Sequence, residues 1–224
     1  MKKLTFNPNV FEFDLTNPQF ITIVIENKEY YWKFNKYLYD VFPDHIKYCS
    51  FFNNGDEVKI EDISAYISNV LNLNLNTKQN LNALYKILKK SYFEELSSTV
   101  EQIQEQLTKV CSEIKMDFDA ELIMDSAIRI DDIFKIGGLQ FAEPSGSLLE
   151  DLSKFIMVSK ELRGVSIIFI NHLHDYLDNS KIAEFIKEIQ YSGISLINLE
   201  TSRPESIVKN ENIAIIDKDL CSFY

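Results

Sequence analysis

A chain of 224 residues, 46% of them apolar and including 16 Phe and 11 Tyr, can bury a sizeable core, which excludes a disordered polypeptide. Its formal charge of −11 argues against indiscriminate nucleic-acid binding, and Cys49, Cys111 and Cys221, far apart and without a CxxC pair, suggest neither a zinc knuckle nor a disulfide framework. That cysteine usage makes a reducing cytoplasm the expected location; the opening MKKLTFNPNVFEFDL lacks the continuous apolar stretch of a signal peptide, and no run approaches the roughly 18 apolar residues of a membrane span. The charge is uneven. Residues 91–144 hold 4 basic and 12 acidic side chains, net −8, whereas the remainder holds 19 and 22, net −3.

In chain order, ITIVIE (21–26) reads as a buried strand and KEYYWKFNKYLYD (28–40) as the helix after it. IKYCSFF (46–52), the turn NNGDE and VKI suggest a strand or hairpin, and EDISAYISNVL looks helical. TKQNLNALYKILKK (77–90) returns to helix. Phe93, Leu96, Val100, Ile103, Leu107, Val110 and Ile114 then fall at alternating spacings of three and four, a heptad seam that predicts a long helix over about 90–115. Ile123, Ala127, Ile130 and Phe134 make a second stripe over 120–136, ended by Gly137-Gly138, so two antiparallel helices would form an arm. Ser147 and Glu150 have capping-box spacing at the head of a helix running to about Arg163. A strand over 165–170, a helix from Ser180 to about Tyr191, and strands at ISLINLE (194–200) and NIAIID (212–217) complete the pattern. Strands alternating with helices imply a mainly parallel sheet, hence an α/β head made of 1–90 and 145–224, interrupted by an α-helical leg over 91–144.

The strand 165–170 is apolar and β-branched throughout, as strands covered on both faces are, and such strands usually end beside a phosphate or metal site. A phosphate loop, however, needs two glycines five apart and a following Lys, and none of the six glycines satisfies this. Asn171 and Glu200 read as polar caps on strand ends, and His172 and His174 as solvated loop histidines without a third metal ligand. Pro43-Asp44 followed by Glu57-Val58-Lys59 matches a loose nuclease signature, two carboxylates for magnesium and a lysine assisting the attacking water. Lys78, Lys86, Lys89 and Lys90 lie on one side of a helix opposite Leu81, Leu84, Ile87 and Leu88, with no acid between Asp62 and Glu94; such a face could track a DNA backbone. Asp117, Asp119 and Glu121, with Asp125 a turn further on, crowd carboxylates where the two arm helices join; the spacing is not that of an EF-hand, and the set reads either as solvated acids or as donors that suit calcium better than magnesium.

Taken whole, the chain resembles the csn-two family, the ring-forming adaptation proteins of type II-A CRISPR systems. The similarity is carried by IIFIN, YLDNSKIAEFIKEI, ISLINLE with the arginine of TSRP, and IIDKD, and more weakly by SFFNNGDEVKIEDISAYISNVLNLNLNT and MDFDAEL…DDIFKIGGLQF. The resemblance implies a discontinuous α/β head like a phosphate-loop fold without its loop, and a helical leg. It also implies a non-catalytic homotetrameric ring that holds double-stranded DNA by its ends, organised by calcium, acting in spacer acquisition beside the adaptation integrase and the effector nuclease. By similarity Asp117, Asp119 and Glu121 are calcium candidates. The family's lysine-rich loop is here NNGDE, leaving Lys59 as the nearest lysine, so DNA contact would fall to Lys59, Lys78, Lys86, Lys89 and Lys90. The contrasting expectations are a magnesium-dependent nuclease using Asp44, Glu57 and Lys59, and an interaction scaffold that never touches DNA.

Overall fold

The computed structural model describes residues 1–7, 11–40, 47–116 and 128–223. The chain divides into two compact units, Met1–Leu75 with Glu143–Tyr224, and Asn76–Ala142.

The first unit is mixed α/β. Short amphipathic strands β1 (Lys2–Phe6) and β2 (Phe11–Asp14) pair with β4 (Cys49–Asn53) and β5 (Asp56–Val58) into an antiparallel sheet of order β2-β1-β4-β5. Burial alternates along β2, as a sheet covered on one face requires. The second sheet has the order β10-β9-β3-β8-β7-β6. Its inner strands β3 (Phe20–Ile25) and β8 (Ser195–Glu200) are buried at every residue, as is β7 (Ile167–Asn171) up to Asn171. β6 (Ser64–Ile67) and β9 (Glu211–Ile216) run parallel with them, and only the terminal β10 (Ser222–Phe223) is antiparallel.

Helix α1 (Lys28–Tyr39) buries Phe34, Tyr37 and Leu38 in one core with Ile21, Ile23, Ile197 and Leu199 of the large sheet and Leu4, Phe6 and Phe13 of the small one. The opposite sheet face, through Phe20, Leu196, Ile168 and Ile170, packs on α6 (Leu148–Arg163) and α7 (Asn179–Ser192), whose buried side chains include Leu152, Ile156, Ile182 and Phe185. Parallel strands covered on both faces explain the unbroken apolar runs in the sequence.

The second unit is helical: α3 (Lys78–Ser91), α4 (Phe93–Met116) and α5 (Ile130–Ile136). Tyr85, Ile130 and Phe134 form its core, with Leu81, Leu84, Leu88, Leu96 and Val100 packed around them. The expected boundary after residue 90 thus falls earlier, since α3 packs its apolar face on α4 and α5. The seam also stops short: Leu107, Val110 and Ile114 are exposed in the distal half of α4.

Two local readings change. EDISAYISNVL is not one helix; a single turn, α2 (Ile60–Ile63), leads straight into β6, because Ser64–Ile67 pairs in register with Ile167–Ile170 and its Ala65 and Ile67 are wanted in the sheet core. Ser147 does occupy the cap of α6, but its side chain makes no capping bond; Asp151 instead accepts from the Ser145 N–H at 2.7 Å. The pair Gly137-Gly138 does close α5 as expected, Gly138 taking the left-handed conformation (φ +63) while Gly137 stays right-handed. The expected helix over 120–136 is seen from Ile130 on, and 117–127 lie outside the described residues.

Candidate functional site

Four buried polar side chains, Thr22, Asn198, Glu200 and Glu211, gather around β8. Asn198 and Glu200, two apart, point to the same sheet face as Thr22 of β3, which pairs with Asn198, and Glu211 opens the neighbouring β9. After β7 the chain turns through His172, a non-glycine residue in the left-handed region (φ 54), whose N–H donates to the Leu199 carbonyl at 3.0 Å. That turn delivers the single 3-10 turn Leu173–Asp175 and sends both histidines towards Glu200.

His174 sits between two carboxylates. Its Nδ1 is 3.0 Å from Glu200 Oε1, and its Nε2 is 3.1 Å from Glu211 Oε1, within ion-pair distance though off the line of a hydrogen bond. Glu200 also accepts from the Asn198 amide at 2.9 Å and from the His174 N–H at 3.1 Å. Glu211 accepts from the Thr22 hydroxyl at 2.6 Å and the Val208 N–H at 3.1 Å. His172 Nδ1 lies 3.3 Å from Glu200 Oε2, so the tautomer donating there leaves Nε2 to accept the Tyr31 hydroxyl at 2.8 Å.

The electrostatics follow. Burial pulls the His174 imidazole down, but its bonds to Glu200 and the field of Glu211 outweigh this and push it up to about 9. Burial pushes both carboxyls up, and His174, with Asn198 or Thr22, holds each below its ordinary value. One imidazolium between two carboxylates leaves the cluster one negative charge that these neutral donors help to carry. The reading of His174 as a solvated loop residue is therefore overturned: it is a half-buried imidazole, held in its charged form by the two carboxylates, that ties the turn after β7 to β8 and β9. Glu200, read as a strand-end cap, is the buried anion it serves. Asn171 faces the other way, donating to Asn35 Oδ1 at 2.6 Å and to the Tyr66 hydroxyl at 2.8 Å. The cluster spends its lone pairs internally, which makes it a brace within the sheet. The signal that could have revealed it was present: Thr22, Asn198 and Glu200 are polar residues on one face of otherwise apolar strands.

The lysines expected to contact DNA fall in both units. Lys59 is exposed at the cap of α2 in the first. Lys78, Lys86 and Lys90 are exposed along α3, while Lys89 is half-buried with Nζ 3.5 Å from Asp131. Ile87, read as part of the apolar face, is itself exposed. Of the nuclease set, Asp44 lies outside the described residues, and Glu57 forms an ion pair with Lys47 at 2.8 Å that holds its carboxyl below the usual range. Asp117, Asp119, Glu121 and Asp125 also lie outside the described residues; among those described, no three His, Cys, Asp or Glu side chains are grouped so as to hold a metal.

An α/β unit assembled from both ends of the chain around a helical insertion is the class the fold defines. Residues 44–220 match the family model described as CRISPR-associated protein (Cas_Csn2), so the chain belongs to that family and its function is CRISPR-associated. No curated protein matches it. Among solved structures it is similar to the ADP conformation of an ATP-binding cassette of an ABC transporter, at 9% identity and a TM-score of 0.39, over 91% of this chain and 82% of that one. At that score the likeness carries no argument, and the expected kinship with phosphate-loop folds gains no support from it.

Proposed function

We propose that the chain is a non-catalytic, sequence-independent binder of double-stranded DNA ends, working as a calcium-organised homotetrameric ring during CRISPR spacer acquisition, beside the adaptation integrase and effector nuclease. Family membership supports the setting. The observation that carries DNA binding is α3, which exposes Lys78, Lys86 and Lys90 in a stretch with no acid between Asp62 and Glu94. Phosphate neutralisation needs only local positive potential, because charges beyond about 10 Å are screened near physiological salt. The net charge of −11 therefore does not oppose it. Asp117, Asp119, Glu121 and Asp125 offer four hard carboxylates in one short stretch, a set that fits calcium, which accepts irregular coordination.

The discriminating experiment incubates linear duplex DNA with the protein and either calcium or magnesium. A calcium-dependent gel shift with intact DNA is the expected result. Fragments in magnesium would instead point to Asp44, Glu57 and Lys59, and no shift even at low salt would leave an interaction scaffold.

A further inference from the structure

Helix α1 buries Phe34, Tyr37 and Leu38 and turns another stripe outwards. Lys28, Trp32, Lys36 and Tyr39 follow one another at spacings of four, four and three, one face of a helix. Trp32, the chain's single tryptophan, is 60% exposed and Tyr39 71% exposed. Lys36 Nζ stands 5.4 Å from the centre of the indole, and Lys28 is exposed one turn before it. Over Lys28–Tyr39 there are three lysines and one acid, Glu29, which is held by Lys33 at 2.6 Å. A helix positive by two on a chain carrying −11 is a local reversal of sign.

Large rings left in water beside cations suit a ligand that brings π-faces and negative charge together. Apolar protein surface would strand the lysines, and a paired duplex keeps its bases stacked inside. An unpaired base offers its ring to the indole while its own phosphate meets Lys28 or Lys36. We propose that this stripe of α1 is a stacking site for unpaired bases of single-stranded nucleic acid. The proposal goes beyond duplex binding and does not rest on it.

A single-stranded oligodeoxyadenylate, with no duplex present, is titrated into the full chain while tryptophan emission is followed; with one Trp, the signal is Trp32 alone. Saturable quenching is expected, with a blunt duplex of equal length leaving the emission unchanged. By anisotropy of a labelled oligonucleotide, Trp32→Ala should weaken binding about tenfold or more, whereas Trp32→Phe keeps most of it. Lys28→Gln with Lys36→Gln should weaken it and flatten the salt dependence by about 0.7 in log–log slope for every phosphate no longer neutralised. The proposal is overturned by any of four results: no binding at low salt, binding without quenching, equal quenching by duplex, or an unaffected Trp32→Ala variant. Emission that shifts with protein concentration alone would assign the face to a second copy and also overturn it. Failure of the duplex clamp leaves this test intact.

Discussion

His174 holds two buried carboxylates apart with one proton, so stability should follow that proton. The folded imidazole titrates near 9 and the unfolded one near its ordinary 6.5. The stabilisation is therefore complete below about pH 6.5 and drains away as pH rises through 9, because the unfolded chain releases its proton first. Glu200 and Glu211, both held below 4.5, contribute in the opposite sense: fully above that value, and less as pH falls through their folded values. Thermal midpoints should accordingly be highest between about pH 4.5 and 6.5 and decline towards 9. His174→Ala should cost about 3–5 kcal/mol, since it strands buried charge, and should abolish the alkaline decline. A variant with the wild-type slope would place the titration elsewhere. Little of this is legible in the sequence alone. The donor types stand there, but only the left-handed turn at His172 brings His174 round to Glu200, and nothing in the local sequence demands positive φ at that position.

Helices and strands are far easier to read, for a reason visible in the exceptions. The unbroken runs of β3, β7 and β8 and the seam of α4 carry their period over enough residues to decide their type locally. Residues 60–70 do not: ISAYI suits a helix by spacing and a strand by composition, and the choice is made by Ile167–Ile170, a hundred positions away. β1 and β2 escape a sequence reading because KKLTF and FEFD mix polar with apolar residues over four or five positions, without the unbroken apolar run that marks β7 at the same length. Within the helical unit, the Tyr85 and Phe134 rings, 5.2 Å apart, join α3 to α5. Phe134→Ala should remove about 3–5 kcal/mol. Hydrogen exchange should then quicken in α3, α4 and α5 while β3, β7 and β8 keep their protection. Equal loss in both units would mean that they unfold as one.

At the scale of the molecule, charge is distributed so that one part could bind a polyanion in spite of the total. Replacing Lys78, Lys86 and Lys90 with Gln should lower duplex affinity and reduce the log–log salt slope by about one unit for each phosphate left without its lysine, without altering the melting temperature, because exposed lysines contribute little to stability. Lys89, already paired with Asp131, should matter less than the other three. Affinity that fell with an unchanged slope would mean that these lysines act through the fold and do not touch phosphate.

The acidic quarter sets the second condition. Net −8 over residues 91–144 would be brought together fourfold in a tetramer, and like charges so gathered repel unless a divalent ion bridges some of them. Native mass measured with and without a calcium chelator tests this directly. Chelation should release the tetramer to smaller species, and Asp117→Asn with Asp119→Asn should raise the calcium concentration at which it re-forms. A tetramer indifferent to both would mean that apolar contacts, such as those open to the exposed Leu107, Val110 and Ile114 of α4, are sufficient to hold it.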